Sequence, residues 1–211
     1  MLDVYDAMST LRAVRRLKPD AIPDDVMGRV LQAAAWAPSG GNVQPFRIVL
    51  VQDPTKKAGI GHLYEEEWVK YTKGMRGAEK GSATDKMLRA GDYLASHMAE
   101  VPAILIFCFN ADNMAITDTN LDRPSVVGGG SVYPAVQNVM LACRTEGLGC
   151  VLTTLLCYRE DEIKALLGIP DPWGTCAHIP IGYPVLKGHG PITRRPLEKL
   201  VFSDSWGAKF K

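Results

Sequence analysis

A connector at residues 37–46 (APSGGNVQPF) carries the residue types best suited to binding chemistry in this chain. It joins an alanine-rich helical run to an apolar run rich in β-branched residues. Pro38 and the adjacent glycines prevent either element from continuing. Backbone amides, Ser39, Asn42 and Gln44 could hydrogen-bond a flat polar heterocycle without covering its face. From local chemistry alone, an ordinary helix-to-strand loop explains the same residues equally well.

Two arginine clusters at opposite ends of the sequence could bind an anion together. Arg12, Arg15 and Arg16 stand near the N-terminus, and Arg194 and Arg195 stand near the C-terminus. A guanidinium presents donors in a fork that matches phosphate oxygens. Isolated arginines are also common as solvated ends of helices and loops, so a phosphate site requires that folding bring the clusters together.

The connector and several other segments closely resemble the FMN-dependent nitroreductase superfamily, in the same order along the chain. The segments are residues 11–16 (LRAVRR), 37–46, 147–154 (GLGCVLTT), 179–184 (IPIGYP) and 194–197 (RRPL). The resemblance extends over nearly the whole chain. It implies an α+β fold with a mixed, mostly antiparallel sheet flanked by helices. It also implies an intertwined homodimer that holds FMN in clefts formed by both chains.

The resemblance assigns the connector to the cofactor. Ser39, Gly40, Asn42 and Gln44 would contact the flavin ring and the ribityl chain, and Pro38 would shape the turn. The connector would therefore be the part of the chain that holds the ring in place.

For the phosphate, the resemblance favours Arg12 and Arg194. The remaining basic residues match the pattern less closely: Arg15, Arg16 and Arg195. The chain departs from the family at two positions, since Leu11 stands where an arginine is common and Ala13 stands where a serine is common. One side-chain donor is therefore missing, and Arg16 is a candidate to replace it.

Two further groups of residues would face the flavin in this interpretation. Thr153 and Thr154 occupy the position from which related proteins direct an amide or hydroxyl at the flavin N5, where a donor tunes the reduction potential. A threonine pair that simply ends a strand is the alternative. Tyr64, Trp68 and Tyr71 could form a substrate lid over a planar molecule, or could only pack their segment onto the body of the protein.

The acidic run at residues 65–67 resembles the substrate lid of the iodotyrosine deiodinase branch, where a Glu, a Tyr and a Lys grip an amino-acid zwitterion. Glu67 and Tyr71 have the i,i+4 spacing of one helix face. Alignment of the acidic run, however, places Lys70 where the tyrosine is expected, and no later lysine matches. The sequence therefore favours a different activity.

Composition limits the class of protein. The chain has 211 residues, of which 46% are hydrophobic, and this predicts a single domain over residues 1–211. A net charge of +1 does not favour binding to nucleic acid.

The N-terminal residues lack the features of a signal peptide and no apolar run approaches membrane-span length, so we expect a cytoplasmic protein without membrane contact. Four scattered histidines and five cysteines lack metal-ligand spacing, and the cysteines are predicted to be buried free thiols.

Hydrophobic periodicity predicts the elements that position these residues. A first helix is expected to start near Val4 and to end in the basic cluster at Arg15 and Arg16. Residues 56–97 are charged and amphipathic, which predicts a mobile helical excursion that forms a lid. Further helices are expected at residues 131–146 and 159–167, and strands at residues 47–51, 101–109, 150–153 and 176–182. The continuously apolar run at 101–109 is typical of a central strand covered on both faces.

The predicted function is FMN-dependent NAD(P)H oxidoreduction. A hydride would pass through the flavin, by a ping-pong route, to a small planar electron acceptor such as a nitroaromatic, a quinone or an activated alkene. The absence of a catalytic triad fits a cofactor that carries the chemistry, and the absence of a Gly-x-Gly-x-x-Gly motif disfavours a Rossmann dehydrogenase. The alternatives are a non-enzymatic flavin-binding or storage protein, a deiodinase-like reductase and a deazaflavin-dependent reductase.

Overall fold

The structure is a computed structural model that describes residues 2–210. Within these residues the α-helices are α1 (Val4–Thr10), α2 (Asp24–Ala35), α3 (Pro54–Thr72), α4 (Ala83–His97), α5 (Tyr133–Thr145) and α6 (Glu160–Leu167). The strands are β1 (Phe46–Val51), β2 (Ala103–Asn110), β3 (Gly149–Cys150) and β4 (Trp173–Gly182). The predicted α+β class is confirmed.

The four strands form one sheet in the order β1-β2-β4-β3, and each pairing between them is antiparallel. β2 lies at the centre, as its apolar sequence predicted, and Ala103–Phe107 are completely buried. Successive side chains of a strand point to opposite faces. Ile104 and Ile106 accordingly pack under α3 and α4, whereas Leu105 and Phe107 pack under α2 and α5.

The first helix ends earlier than predicted, at Thr10 rather than at the basic cluster. The chain is extended from Leu11 onward, because its backbone there bonds to other parts of the protein. The Val14 amide donates to the Cys150 carbonyl at 2.9 Å, and the Arg16 carbonyl accepts from the Val185 amide at 3.0 Å. Partners more than a hundred residues away thus override the local helical pattern, and the N-terminal arginines lie on an extended segment beside the sheet.

The segment at residues 56–97 forms α3 and α4, which cover one face of the sheet. Trp68 joins the two helices, since its indole nitrogen donates to Asp92 at 2.7 Å. Gly91 is required at this contact, because a Cβ there would lie 2.1 Å from the Trp68 ring. The mobility expected of this segment stays a prediction.

The cysteines differ in part from expectation. All five are free thiols, and Cys108, Cys143 and Cys150 are buried as predicted. Cys157 is exposed and Cys176 is half-buried, so the prediction of burial was wrong for these two. Cys157 follows the threonine pair in a 3₁₀ turn at the surface, where one side of the turn faces solvent.

Candidate functional site

A cavity of about 340 Å³ opens between α3, the extended segment after α1, and residues 151–155. It collects residues that the sequence singled out from three separate places: Arg15, Tyr64, Trp68, Tyr71, Thr153 and Thr154. Aromatic walls with a few convergent polar groups are typical of sites for small molecules and cofactors. One cavity therefore combines a cation, hydroxyl groups and a flat apolar surface.

The aromatic wall follows from helical spacing along α3. Positions 64, 68 and 71 fall on one face of a helix, and the Tyr64 and Trp68 rings are nearly parallel, with centroids 6.4 Å apart. The Trp68 and Tyr71 rings follow at 6.0 Å. Tyr64 and Trp68 are buried, whereas Tyr71 is half exposed at the rim. The wall therefore offers a planar ligand a rigid inner part and an open edge.

Thr153 lies where this wall meets the sheet. It forms a two-way backbone bridge with His178, with both N–H···O distances at 3.0 Å. Its hydroxyl accepts from the Leu155 amide at 3.4 Å, and Tyr64 lines the same cavity. Burial raises the pKa of the Tyr64 phenol, while Thr153 and the Arg15 cation partly oppose that shift. Tyr64 is therefore a neutral phenol in the wall of the cavity.

His178 was not singled out by sequence reasoning, and its surroundings are unusual. The side chain is fully buried, and neither ring nitrogen has a hydrogen-bond partner. Burial lowers its pKa to about 4, so the ring is uncharged at neutral pH. The signal available in the sequence was a single histidine inside the apolar run of β4.

The connector adopts a strained backbone. Positive φ angles occur within the 3₁₀ turn Gly40–Asn42, at Gly41 (57°) and Asn42 (55°), and again just after it at Gln44 (50°). Such angles are unfavourable for residues other than glycine and cluster at functional sites. Most of the connector is exposed, so its polar groups are accessible to a ligand.

Two side-chain hydroxyls hold this strained conformation. The Ser39 hydroxyl accepts from the Gln44 amide at 2.9 Å, which closes the loop on itself. The Ser131 hydroxyl accepts from the Gly40 amide at 3.1 Å and attaches the loop to the start of α5. Ser131 was missed in the sequence because the contact spans ninety-one positions.

The connector and the threonine pair of one chain are far apart. The connector leads into Phe46, which pairs with Phe109, and Phe109 in turn pairs with Gly174. His178 lies four residues beyond Gly174 along β4. Thr153 pairs with His178 from the other side of β4, which is one strand spacing further across the sheet. With about 4.8 Å between strands and about 3.3 Å per residue, the separation is roughly 20 Å. Within one chain, the predicted cofactor residues thus form two separate groups.

Arg12 lies where the two ends of the chain meet. Its guanidinium donates to the Pro191 carbonyl, with Nε at 3.0 Å, and its amide approaches Nδ1 of His189 at 3.5 Å. Burial lowers the pKa of His189, whose Nε2 bonds to the Leu148 carbonyl at 2.8 Å. Folding therefore attaches the segment that precedes Arg194 to the N-terminal arginine segment.

The other predicted phosphate residues are more open to solvent. Arg194 and Arg195 are exposed, and the Arg194 guanidinium donates only to the adjacent Thr193 carbonyl at 2.9 Å. Arg16 is also exposed, and its guanidinium lies 4.9 Å from the centre of the Tyr93 ring on α4. Their role at a phosphate stays a prediction.

A sequence profile of the Nitroreductase family matches residues 10–183, which is most of the chain. The chain belongs to the nitroreductase family. Membership places it among oxidoreductases.

Individual relatives of this nitroreductase-family chain agree with the profile. It is 25% identical to a protein of Thermus thermophilus named NADH dehydrogenase, over 95% of this chain and 96% of that one. It is 26% identical to iodotyrosine deiodinase 1 of Rattus norvegicus, over 94% of this chain and 68% of that one.

Solved structures show the same fold. NfrA2 of B. megaterium superposes with a TM-score of 0.72 at 20% identity, covering 98% of this chain and 76% of that chain. An iodotyrosine deiodinase bound to FMN and 3-iodo-L-tyrosine superposes with a TM-score of 0.70 at 24% identity, covering 96% of this chain and 99% of that chain.

A charge cluster next to the cavity was also missed by sequence reasoning. Arg159 pairs with Glu66, with Glu67 at 3.3 Å, and with Glu162, and so ties α3 to α6. Hydrogen bonds from Arg159 lower the pKa of both Glu66 and Glu162. Glu67 is nearly buried and also accepts from Lys70 at 2.6 Å. The cluster therefore fixes the back of the aromatic wall.

Two possible features are not found in the part of the chain that the structure describes. No helix within residues 2–210 is both long and apolar enough to cross a membrane. Over the same residues, no three His, Cys, Asp or Glu side chains come together in a way that could hold a metal ion.

Proposed function

We propose that this nitroreductase-family protein is an FMN-dependent NAD(P)H oxidoreductase that reduces planar electrophiles and acts as a homodimer. The observation that carries the proposal is the cavity between α3 and residues 151–155, which combines an aromatic wall, a threonine pair and Arg15. FMN has a flat ring, a polar ring edge and a phosphate. The aromatic wall matches the flat ring, the hydroxyl and amide groups of the threonine pair and the connector match the polar ring edge, and Arg15 matches the phosphate.

The wide separation of the two cofactor groups supports a dimeric site. Because the connector lies roughly 20 Å from Thr153 within one chain, the two groups can hold one ring only if they come from different copies. A shallow apolar depression of about 460 Å³, where α2 and α5 meet the start of α1, offers a surface for the second copy. Trp36 and Val4 line it and are 74% and 54% exposed. Large exposed apolar side chains at one patch are typical of protein interfaces.

The residues of this chain would bind and orient, since bound FMN supplies the hydride chemistry. The connector would hold the ring edge with backbone amides and side-chain donors. Thr153 and Thr154 would offer hydroxyl or amide donors at the other side of the cleft. The wall of Trp68 and Tyr71 would stack first the nicotinamide and then the acceptor in the same space. Nitroaromatics, quinones and activated alkenes all present the flat, electron-poor surface that such a wall accepts.

Steady-state turnover tests the activity. Purified protein with FMN should oxidise NADPH or NADH rapidly only when a quinone or nitroaromatic is added, with the parallel double-reciprocal lines of a ping-pong route. Nicotinamide oxidation that does not depend on the acceptor would indicate a flavin-storage protein instead. Bound FMN that neither nicotinamide reduces would indicate a deazaflavin donor.

Subunit mixing tests the shared site. Arg15→Ala and Asn42→Ala would each damage both sites of a homodimer, but a mixed dimer would regain one intact site if the groups act across the interface. Recovery of FMN binding on mixing is the expected result. Failure to recover, with mixed dimers detected by mass spectrometry, would place both residues in one chain's site and contradict the shared cleft.

Dehalogenation of an iodotyrosine is a second candidate, favoured by one observation. Glu67, Lys70, Tyr71 and Tyr158 line a smaller cavity of about 240 Å³ that shares Tyr71 with the main one. The Glu67 carboxylate is already paired with Lys70, which leaves it less available for the ammonium of an amino acid. Iodide release from 3-iodo-L-tyrosine by the reduced protein would establish this activity, and its absence alongside quinone reduction would exclude it.

A further inference from the structure

Another cavity, of about 250 Å³, lies between the end of β2, the start of α5 and the loop at residues 111–132 that joins them. We call it the loop cavity. An apolar cavity of about 150 Å³ is enough to hold benzene, so the loop cavity has room for one small ring or a short aliphatic chain. Apolar side chains and one thiol form most of its lining: Phe109, Met114, Ile116, Val132, Tyr133 and Cys176.

The loop cavity lies directly beside the connector at residues 37–46. The Pro45 carbonyl accepts from the Asn110 amide at 2.9 Å, and Asn110 follows the lining residue Phe109. At the other end of the connector, the Gly40 amide donates to Ser131 at 3.1 Å, and Ser131 precedes the lining residue Val132. Hydrogen bonds thus attach both ends of the connector to the walls of the loop cavity.

The chemistry of the lining favours an uncharged, apolar occupant. None of the described residues that line the loop cavity is charged at neutral pH, because burial raises the pKa of the Cys176 thiol to about 12. The polar hydrogens of the lining are already used. The Tyr133 hydroxyl donates to the Cys176 carbonyl at 3.3 Å, and the Ser125 hydroxyl donates to Asp118 at 2.6 Å. A charged or strongly polar group would lose its hydration here without gaining a partner.

The loop that covers the cavity is held in place by its own contacts. Asp118 is 5% exposed, and its carboxylate accepts from Arg123 at 2.7 Å as well as from Ser125. On the opposite wall the Tyr133 ring packs on Gly129, where a Cβ would lie 2.8 Å from the ring. The loop cavity is therefore formed by the folded chain itself, and a ligand need not spend binding energy on ordering it.

We propose that the loop cavity binds the apolar side chain of the electron acceptor, and that the acceptor is a quinone with a short, uncharged alkyl or prenyl substituent. The inference rests on the proposed function, in which the connector of one copy meets the aromatic wall of the other. A planar head that stacks on Trp68 and Tyr71 of one copy lies against the connector of the second copy. Its substituent passes the connector and enters the loop cavity behind it. The two copies thus divide recognition between the head and the side chain.

The test is isothermal titration of the oxidised, FMN-loaded protein in the absence of nicotinamide. The probes are two fully substituted benzoquinones that differ in one substituent, a methyl group in the first and an isoprenyl unit in the second. Full substitution of the ring prevents addition of the exposed Cys157 thiol. Burial of the larger substituent should tighten binding at least about tenfold.

Ile116→Trp fills the loop cavity and should bring the ratio of the two affinities to about one. The matched control is Val126→Trp, which adds the same indole to the same loop at a side chain that is 76% exposed and does not line the cavity. The control should keep the wild-type ratio. If Ile116→Trp does not fold, Met114→Trp fills the same cavity and has the same expected result.

Equal affinities for the two quinones in the wild type would overturn the inference, as would a wild-type ratio that persists when the cavity is filled. The titration does not depend on turnover, so the two proposals can fail separately. A preference for the isoprenyl quinone in a protein that neither nicotinamide reduces would refute the proposed function and support the loop cavity as a binding site. Quinone reduction with equal affinities would support the proposed function and overturn the loop cavity's role.

Discussion

His178 should make the stability of this protein depend on pH between pH 6.5 and pH 4. Burial lowers its pKa from 6.5 to about 4. The folded state therefore keeps the ring uncharged in this range, whereas the unfolded chain protonates it. The unfolded state then binds more protons, so stability falls as the pH drops from 6.5 and levels off below 4. A difference of about 2.5 pKa units at 1.36 kcal/mol each amounts to about 3 kcal/mol.

The perturbation is His178→Leu, which removes the titrating ring and its two unpaired nitrogens and keeps an apolar side chain in the core. Urea unfolding followed by circular dichroism at pH 7 and pH 4 gives the free energy of unfolding for each protein. Between these pH values the wild type should lose about 3 kcal/mol more than His178→Leu. Carboxylates also titrate in this range, but they contribute equally to both proteins and cancel in the comparison.

The matched control is His62→Gln, which removes an exposed histidine on α3 whose side chain is 71% exposed. His62 lies 3.3 Å from Glu66, and an exposed pair of this kind contributes little to stability, so this variant should stay closer to the wild type than His178→Leu does. Equal losses in the wild type and in His178→Leu would mean that the buried ring is protonated or hydrated at little cost and does not cause the pH dependence.

Three further substitutions test other contacts. Ser131→Ala removes the hydroxyl that holds the connector, so it should lower stability by about 1 kcal/mol. It should also weaken FMN binding in a fluorescence titration. Unchanged FMN affinity would show that the connector does not need the Ser131 hydroxyl. Gly91→Ala forces a methyl group into the Trp68 ring and should destabilise the protein by about 1–3 kcal/mol in thermal unfolding. In the control Gly28→Ala the new methyl group meets nothing within 4 Å, so this change should stabilise α2 by up to about 1 kcal/mol. Equal effects of the two substitutions would contradict the packing of Gly91 against Trp68. Arg194→Ala should weaken FMN binding by roughly 2–5 kcal/mol if it leaves the phosphate unpaired, and wild-type flavin retention on dilution would remove this residue from the site.

Much of the fold was predictable because it depends on local patterns. The unbroken apolar run of β2 predicted a central strand, and the strand is completely buried over Ala103–Phe107. The early end of α1 at Thr10 was not predictable, because the backbone beyond it bonds to Cys150 and Val185. Hydrophobic periodicity carries no information about such distant partners.

The candidate site was likewise predictable only where it depends on local patterns. Helical spacing was enough to place Tyr64, Trp68 and Tyr71 on one wall. The meeting of this wall with Thr153 in one cavity depends on how α3 packs against the sheet, and the spacing of residues does not show it. Ser131 gave no local signal, because its contact with the connector forms only in the folded chain.

The central claim is that this chain binds FMN and accepts electrons from a nicotinamide. The most direct test is the anaerobic visible spectrum of the purified protein reconstituted with FMN, before and after one equivalent of NADPH and then of NADH. Either donor is expected to bleach the flavin band. A bound flavin that neither donor bleaches, or a protein that does not retain FMN, would contradict it.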